Sequence, residues 1–244
     1  MPMGYKQEVR RLTRRFGFDV VRYPLHDPLA RTAKLIANHR IDCVIDVGAN
    51  DGGFASAIRR AGYGGRIISF EPLLEPFEKL RKQAESDGNW DVRRCAVGAS
   101  ANKVEINVAG DAGKSSSVLE MLPSHTKAAP NSRPVGSQTV DQDRLDRLLP
   151  IMGVDAGSRV FLKIDVEGYE NHVLDGAAGL FADGNVVGLQ LELSLVPLYS
   201  DAMTYREGLD RAESLGMTLM GIDPVFADEE TGQLLQTDAV FFLE

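Results

Sequence analysis

The stretch KIDVEGYE, residues 163–170, places two acids and a glycine directly after an apolar run. That run, VFLKI at residues 160–164, has the length and composition of a buried strand. Asp165 ends it, and Glu167 and Gly168 follow. Carboxylates beside an apolar core cost free energy unless they have partners, and open parallel sheets bind ligands at the carboxyl ends of their strands. We therefore expect a functional site where this strand ends.

Apolar strand segments alternate with helical segments along most of the chain. The predicted strands are residues 41–47, 65–71, 90–98, 103–109, 158–166, 185–194, 217–222 and 237–244. Helical patterns separate most of them, and one precedes the first strand at residues 28–39. Near-continuous apolar strands separated by helices predict an α/β fold with a mostly parallel sheet covered by helices on both faces.

The chain divides into an N-terminal helical extension, residues 1–40, and one larger domain, residues 41–244. Within that domain, residues 110–139 are rich in Gly, Ser, Pro and Asn and have little periodicity. This composition predicts a long, lid-like loop, because long loops in compact domains are usually functional or disordered. A helix is predicted to resume at residues 140–149.

Composition and charge exclude several classes of function. The net charge of −8 argues against a nucleic-acid partner, which would require cations for the phosphates. Cys43 and Cys95 lie in apolar strand segments, so we expect buried thiols in a reducing compartment, and a cytoplasmic protein. Two distant cysteines and four histidines are a poor basis for a His/Cys metal site. The sequence has no stretch typical of a transmembrane helix or a secretory signal.

The first twenty residues are basic and also contain apolar residues at helical spacing. The basic residues are Lys6, Arg10, Arg11, Arg14 and Arg15, and the apolar ones are Val9, Leu12 and Phe16. This pattern is typical of an amphipathic segment that makes peripheral membrane contact or binds an anionic partner. A helix packed on the domain by its apolar stripe would show the same pattern. The sequence leaves both readings of this segment open. It also leaves open whether the protein forms a homodimer.

The segment IDVGANDGGF, residues 45–54, predicts a strand, a glycine turn and the start of a helix. In the dinucleotide fingerprint G-x-G-x-x-G, the middle glycine lets the backbone approach a pyrophosphate. Here Gly48, Asn50 and Gly53 occupy the three places, and Asp46 before the turn would repel a phosphate. The turn therefore favours a ligand without phosphate there and with positive charge, such as S-adenosylmethionine.

Glu71 ends the next predicted strand, one helix after the glycine turn. In nucleoside-binding α/β folds an acid at this place forms hydrogen bonds with the ribose hydroxyls. The structural alternative is that Asp46 and Glu71 merely cap the helices that follow them.

Four segments in order resemble FkbM-type S-adenosylmethionine-dependent methyltransferases. They are DVGANDGGF (46–54), SFEPLLEPFEKL (69–80), CAVG (95–98) and LKIDVEGYENHVLDGA (162–177). The resemblance extends from about Ile41 to the end of the sequence. It implies a class I methyltransferase, a Rossmann-like fold whose seven-stranded, mostly parallel sheet has its last strand antiparallel. It also implies methyl transfer to a hydroxyl, most often of a sugar in a glycolipid, polysaccharide or glycosylated natural product.

The resemblance also assigns cofactor-binding positions. Asp46, Gly48, Asn50 and Gly52 would line the methionine part of S-adenosylmethionine. Glu71 would bind the ribose with Pro72 beside it, and Cys95 and Ala96 would lie near the adenine. Asp165 should face the transferable methyl group.

The catalytic candidates are acids at strand ends. Asp165 could accept the proton of the acceptor hydroxyl or position that hydroxyl. Alternatively, Asp165, Glu167 and Glu192 could hold a divalent cation such as Mg²⁺, which would acidify the hydroxyl. Lys163 lies two residues before Asp165, on the same strand face, and could pair with it. His125 becomes a candidate base if the 110–139 loop folds over the site.

Plainer readings accompany these candidates. Glu167 could simply complement a helix dipole, Glu170 is expected to be a solvated helix residue, and His172 an exposed or satisfied one. Two other functions stay open: an NAD-dependent oxidoreductase of Rossmann type, and a non-catalytic scaffold that binds the cofactor. Asn50 in place of the middle glycine counts against the former, and the acidic cluster mildly against the latter.

Overall fold

The computed structural model describes residues 5–18, 20 and 27–244, with the side chains of residues 5 and 6 excepted. Parts of the predicted N-terminal extension, residues 1–4, 19 and 21–26, lie outside this range. The described strands are β1 (Cys43–Val47), β2 (Arg66–Phe70), β3 (Trp90–Arg93), β4 (Ala96–Val97), β5 (Asn102–Ala109), β6 (Pro134–Asp143), β7 (Val160–Ile164), β8 (Val186–Ser194), β9 (Met217–Ala227) and β10 (Leu234–Leu243). The described helices are α1 (Tyr5–Arg14), α2 (Pro28–Asn38), α3 (Gly53–Arg60), α4 (Leu74–Ala84), α5 (Pro123–Ala128), α6 (Leu145–Ile151), α7 (Glu170–Gly176), α8 (Ala178–Ala182) and α9 (Tyr205–Ser214), with a 3₁₀ turn at Pro130–Ser132.

Seven strands form the central sheet in the order β3-β2-β1-β7-β8-β10-β9. β1 pairs in parallel with both β2 and β7, and β7 pairs in parallel with β8. The last strand, β10, lies antiparallel between β8 and β9. This arrangement confirms the predicted fold. The chain leaves β1 toward β2 on one side and returns at β7 on the other, so a crevice opens at their carboxyl ends.

Both faces of the sheet are buried, as near-continuous apolar strands require. Ile45 and Leu162 belong to the apolar cluster on one face, which Leu145 of α6 and Val173 of α7 also join. Val44 belongs to the cluster on the other face, with residues of α2 and α3. None of the described helices is long and apolar enough to cross a membrane.

A second, three-stranded sheet of order β4-β6-β5 departs from the sequence-based expectations. β6 pairs antiparallel with β5, so the predicted loop at 110–139 ends at residue 133, and it also contains α5. The helix predicted at 140–149 begins only at Leu145, because residues 140–143 belong to β6. These errors have one cause: β6 is largely exposed and polar, so its pairing with β5 leaves little apolar periodicity in the sequence.

Candidate active site

A cleft of about 460 Å³ lies at the carboxyl edge of β1, β2, β7 and β8. Residues after those strands form one wall, and residues 113, 114 and 116–118 of the segment between β5 and β6 contribute another. The volume lies within the range of small-molecule sites, about 300–1,000 Å³. The cleft is therefore large enough for a small-molecule ligand.

The turn after β1 is pressed against the end of β7. Gly48 has φ +77°, and a Cβ at this position would lie 1.7 Å from the carbonyl oxygen of Asp165. Only glycine fits there. Asn50 has φ 46°, and its backbone N–H donates a hydrogen bond to Glu71 Oε2 at 2.8 Å. Gly48 and Asn50 both line the cleft.

Glu71 is a buried carboxylate on the cleft wall. Besides Asn50, the backbone N–H of Leu73 donates to its Oε1 at 2.8 Å. Burial raises the pKa of Glu71 to about 7, against the opposing effect of these two hydrogen bonds. The two N–H donors fix the carboxylate in position, which suits it to accept hydrogen bonds from a ligand's hydroxyls.

Pro72, Cys95 and Ala96 also line the cleft. Cys95 is buried, and burial raises the pKa of its thiol. Cys43, on β1, is likewise buried, and both cysteines are free thiols. The two thiols behave as small apolar residues.

Two of the predicted cofactor positions lie beneath the cleft wall instead of on it. Asp46 is fully buried, with Lys163 Nζ 3.2 Å from its Oδ1 and Ser69 Oγ donating to its Oδ2 at 3.3 Å. Burial raises the pKa of Asp46, although Lys163 opposes this. A Cβ on Gly52 would lie 2.9 Å from the Trp90 ring, on the packed side of the turn. Both residues can thus affect a ligand only through the residues that they support.

Lys163 connects Asp46 to the cleft. Its Nζ lies 3.1 Å from Asp165 Oδ2 and donates to the carbonyl of Gly48 at 3.4 Å. Burial alone would lower the pKa of Lys163, but Asp165 and Asp46 raise it, so the ammonium stays charged. Asp165 is about one-third exposed and faces the cleft. The ion pair fixes the position of Asp165.

Three acids meet at this end of the cleft: Asp165, Glu167 and Glu192 each offer a carboxylate oxygen within 4.8 Å of the others. The side-chain amide of Gln236 donates to Glu192 at 2.8 Å and to Glu167 at 3.2 Å. Burial, together with the neighbouring carboxylates, raises the pKa of both glutamates. Like charges this close in a buried place are unfavourable without a proton or a cation between them. The predicted acids therefore converge on one point.

The turn that carries Glu167 is held on both sides. Glu167 has φ 56°, and Ser117 Oγ donates to its carbonyl at 2.7 Å. The carboxylate of Glu170 accepts from the backbone N–H groups of Val166 (3.2 Å) and Gly168 (3.0 Å). The prediction that Glu170 is solvated is wrong, because its side chain is buried to satisfy these two donors. By accepting these two hydrogen bonds, Glu170 stabilises the turn that carries Glu167.

The candidate base His125 does not line the cleft, and neither does His172. His125 is buried between Tyr199 and Phe226, with ring centroids 5.4 and 5.3 Å away, and its Nδ1 lies 2.9 Å from Ser132 Oγ. Burial lowers the pKa of His125. The short helix α5 thus turns this side chain inward and not toward the cleft. His172 stacks on Tyr169 with centroids 4.0 Å apart.

Three polar residues of the site were not predicted from the sequence. Gln190 and Asp238 line the cleft, with Gln190 Nε2 donating to Asp238 at 3.0 Å, and Gln236 bridges the two glutamates. Burial raises the pKa of Asp238 to about 7. A signal was present: Gln190 and Glu192, like Gln236 and Asp238, are polar residues two apart in apolar strands, so each pair shares one face.

Comparisons with known proteins identify a family and a fold. A model of the methyltransferase FkbM domain matches residues 46–219. No curated protein matches the chain. A candidate O-methyltransferase from Klebsiella pneumoniae superposes with a TM-score of 0.52 at 10% identity, over 100% of this chain and 92% of that one. This similarity shows the fold alone.

Two further solved structures are more distant. The 1,6-didemethyltoxoflavin-N1-methyltransferase of Burkholderia thailandensis, with bound 1,6-didemethyltoxoflavin and S-adenosylhomocysteine, has a TM-score of 0.45 at 12% identity, over 100% of this chain and 93% of that one. The methyltransferase domain of bacterial CtHen1-C has a TM-score of 0.47 at 11% identity, over 88% and 96%. The family match carries the assignment, because it spans more than half of the chain. The chain belongs to the FkbM methyltransferase family, whose methyl donor is S-adenosylmethionine.

Proposed function

We propose that this protein is an O-methyltransferase that transfers the methyl group of S-adenosylmethionine to a hydroxyl of a sugar, in a glycolipid, polysaccharide or glycosylated natural product. One observation carries the proposal: Asp165, Glu167 and Glu192 place carboxylate oxygens within 4.8 Å of one another at the end of the cleft. A hydroxyl must lose a proton to become a good nucleophile, and this is the group of side chains that can receive or displace it.

The other end of the cleft fits the cofactor. Glu71 offers a fixed carboxylate to ribose hydroxyls, and the turn at Gly48 and Asn50 leaves space beside it. When bound, S-adenosylmethionine supplies an electrophilic methyl group on a positively charged sulfur. The acids of the wall outnumber its two lysines, Lys114 and Lys163, so the cleft favours a cationic ligand. Family membership opposes the NAD-dependent alternative.

At the reaction end, Asp165 is positioned by Lys163 to accept a hydrogen bond from the acceptor hydroxyl. The side-chain amide of Gln236 holds the carboxyl groups of Glu167 and Glu192 close to each other. This donor set of three carboxylates suits a hard divalent cation such as Mg²⁺. When bound, such a cation would neutralise the cluster and lower the pKa of the hydroxyl.

The remaining wall supports a sugar as acceptor. Gln190 and Asp238 offer hydrogen-bonding groups on the reaction side, and Tyr169 offers a partly exposed ring. Sugar rings combine many hydroxyls with apolar faces, so they need both kinds of contact. The acceptor is therefore a small molecule or an oligosaccharide or glycolipid headgroup.

The test is methyl transfer from isotopically labelled S-adenosylmethionine to a panel of glycosides, with Mg²⁺ or with a chelator, read by mass spectrometry. We expect the label on a sugar oxygen, and a rate at least about 100-fold lower in Asp165→Asn. Asp183→Asn, at an exposed acid, is the matched control. Transfer to nitrogen, or undiminished transfer by Asp165→Asn, would refute the proposal. Cofactor binding without turnover on any acceptor would favour the scaffold instead.

A further inference from the structure

Residues 5–20 combine an apolar stripe with a dense group of cations. In α1 and the turn that follows it, Val9, Leu12 and Phe16 recur at spacings of three and four, which places them on one side of the helix. Arg10 and Arg11 lie on the other sides by the same spacing. Two of its three residues are strongly exposed: Leu12 is 58% and Phe16 73% accessible, whereas Val9 is half-buried. A helix whose apolar face points to water lacks the contact that normally stabilises it.

The exposure continues past the helix. Phe18 is 71% and Val20 47% accessible. Residues 12–20 thus hold four of the ten strongly exposed large apolar side chains in the described part of the chain. Such a concentration marks a contact surface, whereas scattered single residues would not.

Charge indicates what this surface contacts. Residues 5–20 contain five cations and two acids, in a chain whose net charge is −8. The rest of the molecule is therefore more acidic than the whole. An anionic bilayer would attract this segment and repel the remainder, and would orient the molecule on the membrane. Cations beside an exposed apolar stripe with aromatic residues are the features of helices that lie in a membrane interface.

We propose that residues 5–20 bind the surface of an anionic lipid bilayer, with Leu12, Phe16, Phe18 and Val20 in the interface and the arginines at the headgroups. This binding is independent of the acceptor proposed above. A second copy of the chain is the competing occupant, because its acidic surface would also attract the cations.

The test is co-sedimentation of the full chain with phosphatidylcholine vesicles, with and without phosphatidylglycerol. We expect binding only with phosphatidylglycerol and loss of binding at high salt. Phe16→Gln/Phe18→Gln and Arg11→Gln/Arg15→Gln should each weaken the partition at least about tenfold, since each basic residue near the surface contributes about fivefold. Val135→Gln/Ile151→Gln, at 72% and 74% exposure, and Lys79→Gln/Lys82→Gln on α4 are the matched controls and should bind like the wild type.

Failure of the proposal has distinct signatures. Absence of sedimentation, equal binding to neutral vesicles, or equal binding by the variants overturns it. The proposal is also wrong if the wild type does not bind vesicles and light scattering shows that it is a dimer which Phe16→Gln/Phe18→Gln converts to a monomer. Binding of S-adenosylhomocysteine should be unchanged in all four variants, because these residues lie outside the cleft wall. A protein that binds S-adenosylhomocysteine but not vesicles would therefore refute the membrane proposal and leave the proposed function intact.

Discussion

The ammonium of Lys163 lies between two carboxylates, 3.1 Å from Asp165 at the cleft and 3.2 Å from the fully buried Asp46. Successive residues of a strand face opposite sides, so Lys163 and Asp165 share one side of the sheet. Asp46 lies beside Lys163 in the register of β1 and β7. The candidate reaction centre is therefore built from two neighbouring strands, and one cation balances both acids.

Lys163→Met should destabilise the protein by about 3–5 kcal/mol, because it leaves buried Asp46 without its cation. The measurement is the free energy of unfolding in urea. Lys103→Met, which removes an exposed pair with Asp141, should change it little. A variant at position 163 that is as stable as the Lys103 control would show that the buried pair contributes nothing.

Binding of S-adenosylhomocysteine should weaken as the pH falls through 7. Burial raises the pKa of Glu71 to about 7, and the nearby Asp46 adds to this, while Lys163 opposes it. Only the ionised carboxylate can accept hydrogen bonds from both ribose hydroxyls, and its population falls as the pH falls. Affinity should be about tenfold lower at about pH 6 than at about pH 8.

Calorimetric titration across this pH range measures the effect. Glu71→Gln should bind more weakly and with a flatter pH profile, while Glu75→Gln, at an exposed acid of α4, should follow the wild type. An unchanged slope in Glu71→Gln would assign the dependence to another acid of the cleft, such as Asp238.

The strand-end residues were predictable from the sequence, because each follows an apolar run whose direction fixes where it ends. Asp165, Glu71 and Asn50 are at the cleft for this reason. Residues that depend on pairing across the sheet were not predictable. Gln236 reaches Glu192 only because β10 is inserted antiparallel beside β8, a contact across more than forty residues of sequence.

The segment between β5 and β6 marks the other limit of sequence-based prediction. A polar, partly exposed strand and a short helix have weak periodicity, so β6 was predicted as loop and helix. The helix α5 determines that His125 faces the interior and not the cleft, and with only six residues it is too short to be predicted from periodicity. The burial of Glu170 could not be predicted either, because its hydrogen-bond partners are backbone N–H groups and no sequence pattern indicates such contacts.

Gly48→Ala should destabilise the protein by about 3 kcal/mol or more. The added Cβ would lie 1.7 Å from the Asp165 carbonyl oxygen, at a φ of +77° that disfavours side chains. Thermal unfolding compares it with Gly88→Ala, where nothing lies within 4 Å and the change should stay below about 1 kcal/mol. Equal stability of the two variants would mean that the turn can move away from β7.

If Asp165, Glu167 and Glu192 hold a divalent cation as proposed, Mn²⁺ or Mg²⁺ should raise the stability of the wild type. At a concentration about one hundred times Kd, the gain is about 2–3 kcal/mol. Glu192→Gln should lose this gain while being at least as stable as the wild type without cation, because one buried like charge is removed. Glu120→Gln, at an exposed acid, is the control. A gain retained by Glu192→Gln would place the cation elsewhere.

We propose that the cleft has a cofactor end at Glu71 and a reaction end at Asp165. The most direct measurement is calorimetric titration of S-adenosylhomocysteine into the wild type, Asp165→Asn and Glu71→Ala under identical conditions. We expect the wild type to bind, Asp165→Asn to bind with a Kd within about twofold of the wild type, and Glu71→Ala to bind at least about tenfold more weakly. Binding that is lost in Asp165→Asn but kept in Glu71→Ala, or absent from the wild type, would contradict it.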